Sequence, residues 1–291
     1  MKTCHSDYGT LKSVYVKPVV HSFRSQKQLD EEWDTLNYLS CPSYEGSVTE
    51  YQKFISLLIR EGVEINTFET DDSVTIDSIY CRDASIATDS GVIICRMGKA
   101  GRLNEPAAQK KIFRENGVPI LGEILPSGTV EGGDVAWLDD ETLAVGHSYR
   151  TNTEGIRQLT KLLERVEVNV IPVELPHYKG RSDVFHLMSI LSPLDHNLAL
   201  TYSPLMPINF RCRLLDMGYQ LVEVPDEEFE TMGSNVLALG PRKCLMVSGN
   251  PIVKQRLEEA GCTVLEYNGN EISIPGGGGP TCLTRPLWRD I

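Results

Sequence analysis

The stretch VTEYQKFISLLIREGV (residues 48–63) decides the fold, because in it a helix ends at a glycine and leads directly into an apolar strand. Apolar residues recur with a period near 3.6 over residues 48–61, which predicts an amphipathic helix. Gly62 is the expected left-handed cap, since glycine adopts positive φ without steric cost. The transition from a helix to an apolar strand returns four times along the chain, three times with a glycine at the junction.

The helical period recurs in four further segments, and we expect helices over residues 105–116, 153–165, 206–217 and 251–260. Glycine caps four of the five helices, whereas the helix over 153–165 continues into Arg165-Val166-Glu167. The five helix-to-strand junctions are 55, 49, 52 and 43 residues apart. This spacing indicates a repeat unit of about fifty residues with one helix in each unit.

Short β-rich runs such as SIYCRDASIAT, GDVAWLD, HNLALTY and NVLALG lie between the helices. Several form hairpins, with turns expected at Asp89-Ser90-Gly91 and Asp139-Asp140. A strand, hairpin and helix repeated five times can close radially around a central cleft, leaving few exposed edges. The absence of a Pro/Ser-rich linker favours a single compact domain over residues 1–291.

Composition excludes several classes of function. Lys and Arg number 28 against 40 Asp and Glu, a net charge of −12, which disfavours a reader of nucleic acid or of anionic membranes. No apolar run reaches the ~18 residues of a membrane helix, and the N-terminus MKTCHSDYGT lacks a signal-peptide core, so we expect a cytoplasmic protein. The acidic stretches DEEWD and DEEFE are expected on solvated faces.

The eight cysteines are spread from Cys4 to Cys282 with no CxxC pair, so we expect reduced thiols and no zinc site. Five polar residues interrupt apolar strands at comparable places in the five units, 48, 55, 49 and 47 residues apart: Asp83, Glu131, His186, Asn235 and Cys282. Radial closure would bring them to one axis, where they supply a nucleophile, a proton shuttle and two anionic clamps. Each one alone has an ordinary structural explanation, but the shared period favours a cysteine-dependent enzyme.

At these residues the sequence resembles the guanidine-modifying pentein superfamily, which contains dimethylarginine dimethylaminohydrolases, arginine deiminases and dihydrolases, and amidinotransferases. The resemblance covers nearly the whole chain through IDSIYCRDASIAT, RMGKAGRLNEP, VEGGDVAWL, VGHSYRTNTEG, HLMS and GGGGPTCLT. It implies an α/β fold, a five-bladed pseudo-fivefold propeller of repeated ββαβ-type units in one catalytic domain.

The resemblance also implies roles for particular residues. Cys282 would be the nucleophile, His186 the acid/base, and Glu131 the carboxylate that holds the histidine and helps bind the guanidinium. Four further residues would contact the substrate: Asp83 at the guanidinium nitrogens, Asp77 as a second contacting aspartate, and Arg102 and Arg150 at the α-carboxylate. Asn235 receives no chemical role, and we expect it to be a structural amide.

Two departures from the family pattern bear on the identity of the substrate. Deiminases carry a guanidinium-binding aspartate two residues after the histidine, where this chain has Met188, so the pattern is nearer that of the dimethylaminohydrolases. Those enzymes have an acidic residue before the aspartate matching Asp83, whereas this chain has Arg82, as many deiminases and dihydrolases do.

The leading hypothesis is hydrolysis of free arginine or Nω-methylated arginine to citrulline plus ammonia or an alkylamine, through a covalent thiouronium on Cys282. The alternatives are an amidinotransferase that passes the amidino group to an amine, and an arginine dihydrolase or citrulline hydrolase that forms ornithine. The expected partner is a small guanidino amino acid, with no metal or organic cofactor. Base rates for an enzyme of this size favour a homodimer.

Overall fold

Five small β-sheets form the framework of the protein, which is described over residues 2–291 by a computed structural model. The strands are β1 (Lys2–Thr3), β2 (Thr10–Val16), β3 (Glu64–Thr67), β4 (Ser85–Thr88), β5 (Gly91–Ile94), β6 (Ile120–Glu123), β7 (Val135–Trp137), β8 (Thr142–His147), β9 (Asn169–Glu174), β10 (Leu191–Asp195), β11 (Leu198–Thr201), β12 (Gln220–Glu223), β13 (Leu237–Gly240), β14 (Lys243–Val247), β15 (Thr263–Tyr267) and β16 (Thr284–Asp290). The helices are α1 (Val19–Ser22), α2 (Gln26–Glu32), α3 (Tyr44–Arg60), α4 (Glu105–Glu115), α5 (Thr153–Leu163), α6 (Ile208–Asp216), α7 (Asp226–Phe229) and α8 (Pro251–Glu259).

Four of the sheets have the same topology. In each, two consecutive strands pair antiparallel, a helix follows, and the third strand pairs parallel with the second, as in β4-β5-β6 across α4. The sheets β7-β8-β9, β10-β11-β12 and β13-β14-β15 repeat this arrangement. Each repeat is therefore a ββαβ unit.

The fifth sheet joins the two ends of the chain. Its order is β1-β16-β2-β3, with β16 antiparallel to β2 and β3 parallel to β2. The pairing runs from Thr284 opposite Val16 to Asp290 opposite Thr10. The C-terminal strand thus supplies the first strand of the unit that contains the N-terminus.

Neighbouring sheets touch around a closed ring. The strand β10 packs between β7 and β13, β13 contacts β2, and β16 contacts β4. A bridge between Arg96 and Val130 joins the remaining two sheets. The architecture is the five-bladed α/β propeller expected from the sequence, and β4, β7, β10, β13 and β16 are its inner strands.

The five long helices, α3 to α6 and α8, confirm the periodic segments of the sequence to within a few residues at each end. Their apolar faces are buried, as at Ile156, Leu159 and Leu163 of α5. The junction without a glycine still has a left-handed residue, because Glu167 adopts φ 59°. The short helices α1, α2 and α7 have no counterpart among the helices predicted from the sequence.

Within residues 2–291, no helix combines the length and the apolar character needed to cross a bilayer. All eight cysteines are free thiols.

Among the glycines of the described residues, Gly155 leaves the least room for a side chain. It lies in the first turn of α5, where a Cβ would overlap the backbone oxygen of Thr129. We expect Gly155→Ala to lower the free energy of unfolding by roughly 3 kcal/mol, as overpacking against backbone does. The measurement is urea denaturation followed by circular dichroism.

Gly46 is a matched control for this substitution. It occupies the same position in α3, but a Cβ there would meet only the flexible side chain of Glu271, at 3.1 Å. Gly46→Ala should be neutral or stabilising by up to about 1 kcal/mol, because alanine favours helix over glycine. Equal losses in the two variants would contradict the packing argument.

Candidate active site

The five residues with a shared period all lie just before inner strands. Asp83, Asn235 and Cys282 stand two residues before β4, β13 and β16, while Glu131 and His186 stand four and five residues before β7 and β10. Because the inner strands surround one axis, these residues meet at one end of it. The structure therefore places all five predicted positions together.

Glu131 holds His186 in place. The Nε2 atom of His186 lies 2.8 Å from Oε2 of Glu131, and both side chains are buried. Arg150 Nη1 lies 3.4 Å from the same oxygen. The other oxygen, Oε1, accepts hydrogen bonds from the backbone N–H groups of Gly98 and Lys99, at 2.9 and 3.0 Å.

These four contacts use the acceptor capacity of the Glu131 carboxylate. The geometry therefore gives Glu131 the role of orienting the histidine. A substrate guanidinium would reach it only by displacing Arg150, so that part of the sequence hypothesis stays a prediction.

Nearby carboxylates keep His186 protonated. Burial alone would lower the pKa of His186, but Asp134, Glu131 and Asp83 outweigh burial and raise it to about 9. The pKa of Glu131, which burial alone would raise, is instead held well below its usual range by His186 and Arg150. The pair is therefore an imidazolium and a carboxylate at neutral pH, and His186 can donate a proton.

Asp83 has one engaged oxygen and one open oxygen. Arg102 Nη1 donates to Oδ2 at 2.6 Å, whereas Oδ1 is buried and has no hydrogen-bond partner. A Cβ on Gly133 would lie 2.8 Å from this Oδ1 and 2.5 Å from Nδ1 of His186. The open carboxylate oxygen and the histidine therefore border the same space, which only a glycine leaves free.

Arg102 is committed to protein partners. Its Nε and Nη2 donate to the two carboxylate oxygens of Glu105, both at 2.8 Å, and Nη2 also donates to the carbonyl of Tyr80. Burial raises the pKa of Glu105 to about 7, and Arg102 opposes the rise. Arg102 would have to leave Asp83 and Glu105 to receive a substrate carboxylate, so its expected role stays a prediction.

Arg150 is held more loosely. Its contacts with Glu131 and with the carbonyl of Asp183 are both 3.4 Å. It lines a cavity of about 190 Å³ together with Lys99 and Arg181. Lys99 also forms a 2.6 Å ion pair with Asp77, the second predicted substrate contact. This cavity is the cationic end of the site.

Cys282 is a partly exposed thiol between two spaces. It borders a cavity of about 290 Å³ that also contains Met188, Phe229 and Met232. On its other side a smaller space contains Asp83 and Arg102. His186 lines both spaces, so the thiol and the histidine face a common region.

The environment keeps the Cys282 thiol neutral. Burial, followed by the negative charge of Asp83, raises the pKa of Cys282, while hydrogen bonding with Asn235 and Thr281 opposes the rise. Arg82 does not enter the site with its side chain, since Nη2 is paired with Asp7 at 2.9 Å. Its backbone N–H donates to the carbonyl of Cys282, at 3.2 Å.

Asp134 is a residue that sequence reasoning missed. It is fully buried, and its two oxygens accept from the backbone N–H of Leu187 and the hydroxyl of Ser148. Burial raises the pKa of Asp134 to about 6. It fixes the residue next to His186 and adds negative charge beside the imidazole. The Gly-Gly-Asp that follows Glu131 was the available signal.

Donor atoms of Asp83, Glu131 and His186 lie within 4.8 Å of one another, a spacing that would also suit a metal ion. Both carboxylates already have cationic partners, Arg102 on Asp83 and His186 with Arg150 on Glu131. Arg102 is shared with Glu105, however, and Oδ1 of Asp83 remains an open acceptor.

A family model described as N,N dimethylarginine dimethylhydrolase, eukaryotic, matches residues 27–289. The protein YkgA of Bacillus subtilis strain 168 is 29% identical over 290 residues, 98% of this chain and 95% of YkgA. The N(G),N(G)-dimethylarginine dimethylaminohydrolase of Pseudomonas aeruginosa is 26% identical over 244 residues, 84% of this chain and 90% of that enzyme.

Among solved structures, the N-terminal domain of ArgZ, a cyanobacterial arginine dihydrolase, has a TM-score of 0.79 and 20% identity. The match covers 96% of this chain and 98% of that domain. At this identity the likeness concerns the fold, which is the pentein propeller in both proteins.

The raised pKa of His186 depends on Glu131. We expect Glu131→Gln to lower the pKa of the His186 imidazole from about 9 by about one unit or more, because neutral glutamine no longer stabilises the imidazolium, while Asp134 and Asp83 still do. In the wild type, the stability gained from the raised pKa of His186 is complete below pH ~6.5 and is lost as the pH rises through the folded-state value. NMR titration of labelled histidines measures the shift.

The exposed pair His147 and Glu174 provides the control, since their side chains lie 2.6 Å apart at the surface. Glu174→Gln should leave the His186 titration unchanged. A His186 midpoint in Glu131→Gln that matches the wild type would exclude the electrostatic explanation.

Proposed function

Because this chain belongs to the N,N-dimethylarginine dimethylhydrolase family, a family of pentein hydrolases acting on C–N bonds of linear amidines, we propose that it hydrolyses free Nω-methylated arginine. The products are citrulline and an alkylamine. The observation that carries the proposal is the convergence of a thiol, an imidazolium and an open carboxylate oxygen on one space, at Cys282, His186 and Asp83.

The guanidinium binds where its charge is compensated. Its N–H groups donate to the free Oδ1 of Asp83, which is the open acceptor in the buried end of the site. This contact holds the cation in place and keeps the central carbon electrophilic. At the other end of the substrate, Arg150 takes the α-carboxylate in the cavity that Lys99 and Arg181 share.

Covalent chemistry begins when the substrate cation favours ionisation of the neighbouring thiol, whose proton is released. The Cys282 sulfur attacks the guanidinium carbon, and the tetrahedral adduct forms. His186, an imidazolium in the free enzyme, gives its proton to the alkylamine nitrogen, and the C–N bond breaks. A thiouronium on Cys282 remains.

Hydrolysis reverses the role of the histidine. Neutral His186 takes a proton from water, and the hydroxide adds to the thiouronium carbon. The C–S bond then breaks while the added hydroxyl loses its proton to solvent, which releases neutral citrulline and the Cys282 thiolate. Glu131 keeps the imidazole oriented through both steps.

Met188 supports an alkylated leaving nitrogen. It lies two residues after His186, is buried, and lines the 290 Å³ cavity with Phe229 and Met232. An apolar wall accepts N-methyl groups, whereas an unsubstituted nitrogen would leave its N–H donors unpaired there. The same cavity could admit an amine acceptor, so an amidinotransferase is the second candidate.

Product analysis tests the reaction. We expect methylated arginines to give citrulline plus methylamine or dimethylamine by mass spectrometry, and agmatine, which lacks the carboxylate, to remain unchanged. Cys282→Ser should abolish turnover. A guanidino product that appears only with an added amine would instead identify a transferase, and ornithine from arginine would identify a dihydrolase.

Met188 tests the leaving group. Met188→Asp should raise the ratio of kcat/KM for arginine over dimethylarginine by roughly tenfold or more, because the carboxylate accepts N–H donors and repels methyl groups. Met188→Leu keeps an apolar side chain of similar volume and should change the ratio less than about twofold. No change with aspartate in a folded variant would place the leaving nitrogen elsewhere.

A further inference from the structure

Asn235 contacts the atom that would attack the substrate. Its Nδ2 donates a hydrogen bond to Sγ of Cys282 at 3.3 Å, and the side chain is 6% exposed. We propose that Asn235 is a catalytic residue, a fixed hydrogen-bond donor that stabilises the Cys282 thiolate before attack and again when it departs. This inference rests on the proposed function only in taking Cys282 as the nucleophile.

The hydrogen bonds of Thr281 determine which end of the amide faces the sulfur. Its backbone N–H and its hydroxyl both donate to Oδ1 of Asn235, at 3.1 and 2.7 Å. A backbone N–H can only donate, so the amide atom that faces it must be the oxygen. The NH₂ group is therefore the end that faces Cys282, and the sulfur always meets a donor.

The backbone around Asn235 is fixed as well. Ser192 donates its hydroxyl to the carbonyl of Ser234 and accepts from the N–H of Val236, which ties both neighbours of Asn235 to β10. The N–H of Asn235 donates to the carbonyl of Met232, which has a left-handed φ of 67°. The donor is thus pre-organised by surrounding structure, as a catalytic group requires.

The contact with Asn235 explains why a glycine occupies position 279, the last of the four consecutive glycines that precede Cys282. A Cβ at this position would lie 2.5 Å from Oδ1 of Asn235. The chain leading to Cys282 can approach the amide this closely only because residue 279 has no side chain. The last glycine of the run therefore serves the contact between Asn235 and the sulfur.

The donor matters because the two largest influences on the thiol oppose its ionisation, and only Thr281 and the charge of Arg82 join Asn235 in favouring the thiolate. Burial and Asp83 both disfavour the thiolate, and no cationic side chain donates a hydrogen bond to Sγ among residues 2–291. A neutral N–H donor stabilises the thiolate without competing with the substrate cation for Asp83. When water expels the sulfur from the thiouronium, the hydrogen bond strengthens again and assists the departure.

The test measures Cys282 itself. In Asn235→Asp the donor becomes a carboxylate oxygen of nearly the same size, so the pH midpoint for alkylation of Cys282 by iodoacetamide should rise by about one unit or more. Peptide mass spectrometry follows Cys282 separately from the other thiols. On substrate, kcat should fall roughly tenfold or more while KM changes less than about threefold.

Two further variants keep the test decisive. Asn235→Ala removes the donor without adding charge, so it should raise the midpoint by less than Asn235→Asp does. This variant replaces Asn235→Asp in the test if the aspartate variant does not fold. Ser192→Ala loosens the supporting backbone but keeps the donor, which Thr281 still orients, and should shift the midpoint much less than either substitution of Asn235. An unchanged midpoint in folded Asn235→Asp, or an equal shift in Ser192→Ala, would overturn the proposal.

Alkylation needs no substrate, so this result is independent of the proposed reaction. A shifted midpoint with no turnover of any guanidine would contradict the proposed function and retain the donor role. Turnover of methylarginine with an unshifted midpoint would support the proposed function and contradict the donor role of Asn235.

Discussion

The pairing of β16 with β2 is the interaction on which the site depends. It joins residues 284–290 to residues 10–16, at opposite ends of the chain, and completes the ring of five sheets. Arg289 reinforces it from inside, donating to the carbonyls of Gly9 and Ala238 at 2.6 and 2.8 Å. Because Cys282 stands two residues before β16, this proposed nucleophile reaches the other site residues only when the ring closes. Ring closure and assembly of the active site are one event.

Buried charge is the second constraint. Glu131, His186 and Arg150 are all buried, and so are Asp83, Arg102 and Glu105. Replacing such pairs by apolar side chains is often neutral or stabilising, so stability does not explain them. The proposed chemistry explains these buried pairs, because they maintain an imidazolium at neutral pH beside a thiol. In the proposed function, the free oxygen of Asp83 accepts hydrogen bonds from the substrate cation.

The repeat made much of the fold predictable. The period of about fifty residues, the five long helices and the positions of the five axial residues followed from local patterns, which each unit repeats. Glu167 departs from the glycine rule, because backbone hydrogen bonds from Glu167 to Glu164 and from Val168 to Leu163 close the turn with this exposed residue in a left-handed conformation that its own preference does not favour. The expectation that DEEFE is solvated is wrong for Glu228, which is buried and accepts from Ile252 and Val253 at the start of α8. That contact is formed across two elements and leaves no local signal.

The sequence by itself determined which chemical groups reach the axis, because their spacing is a property of the repeat and of covalent order. Only the tertiary structure decided what each group does there. From the sequence, Asn235 was expected to be a structural amide. In the structure it donates a hydrogen bond to the Cys282 sulfur, because Thr281 fixes the orientation of its side chain. Arg102 was expected to contact the α-carboxylate of the substrate, yet its hydrogen bonds go to Glu105 and Asp83. Hydrogen-bond partners, burial and protonation depend on neighbours distant in sequence, and these exist only after the ring has closed.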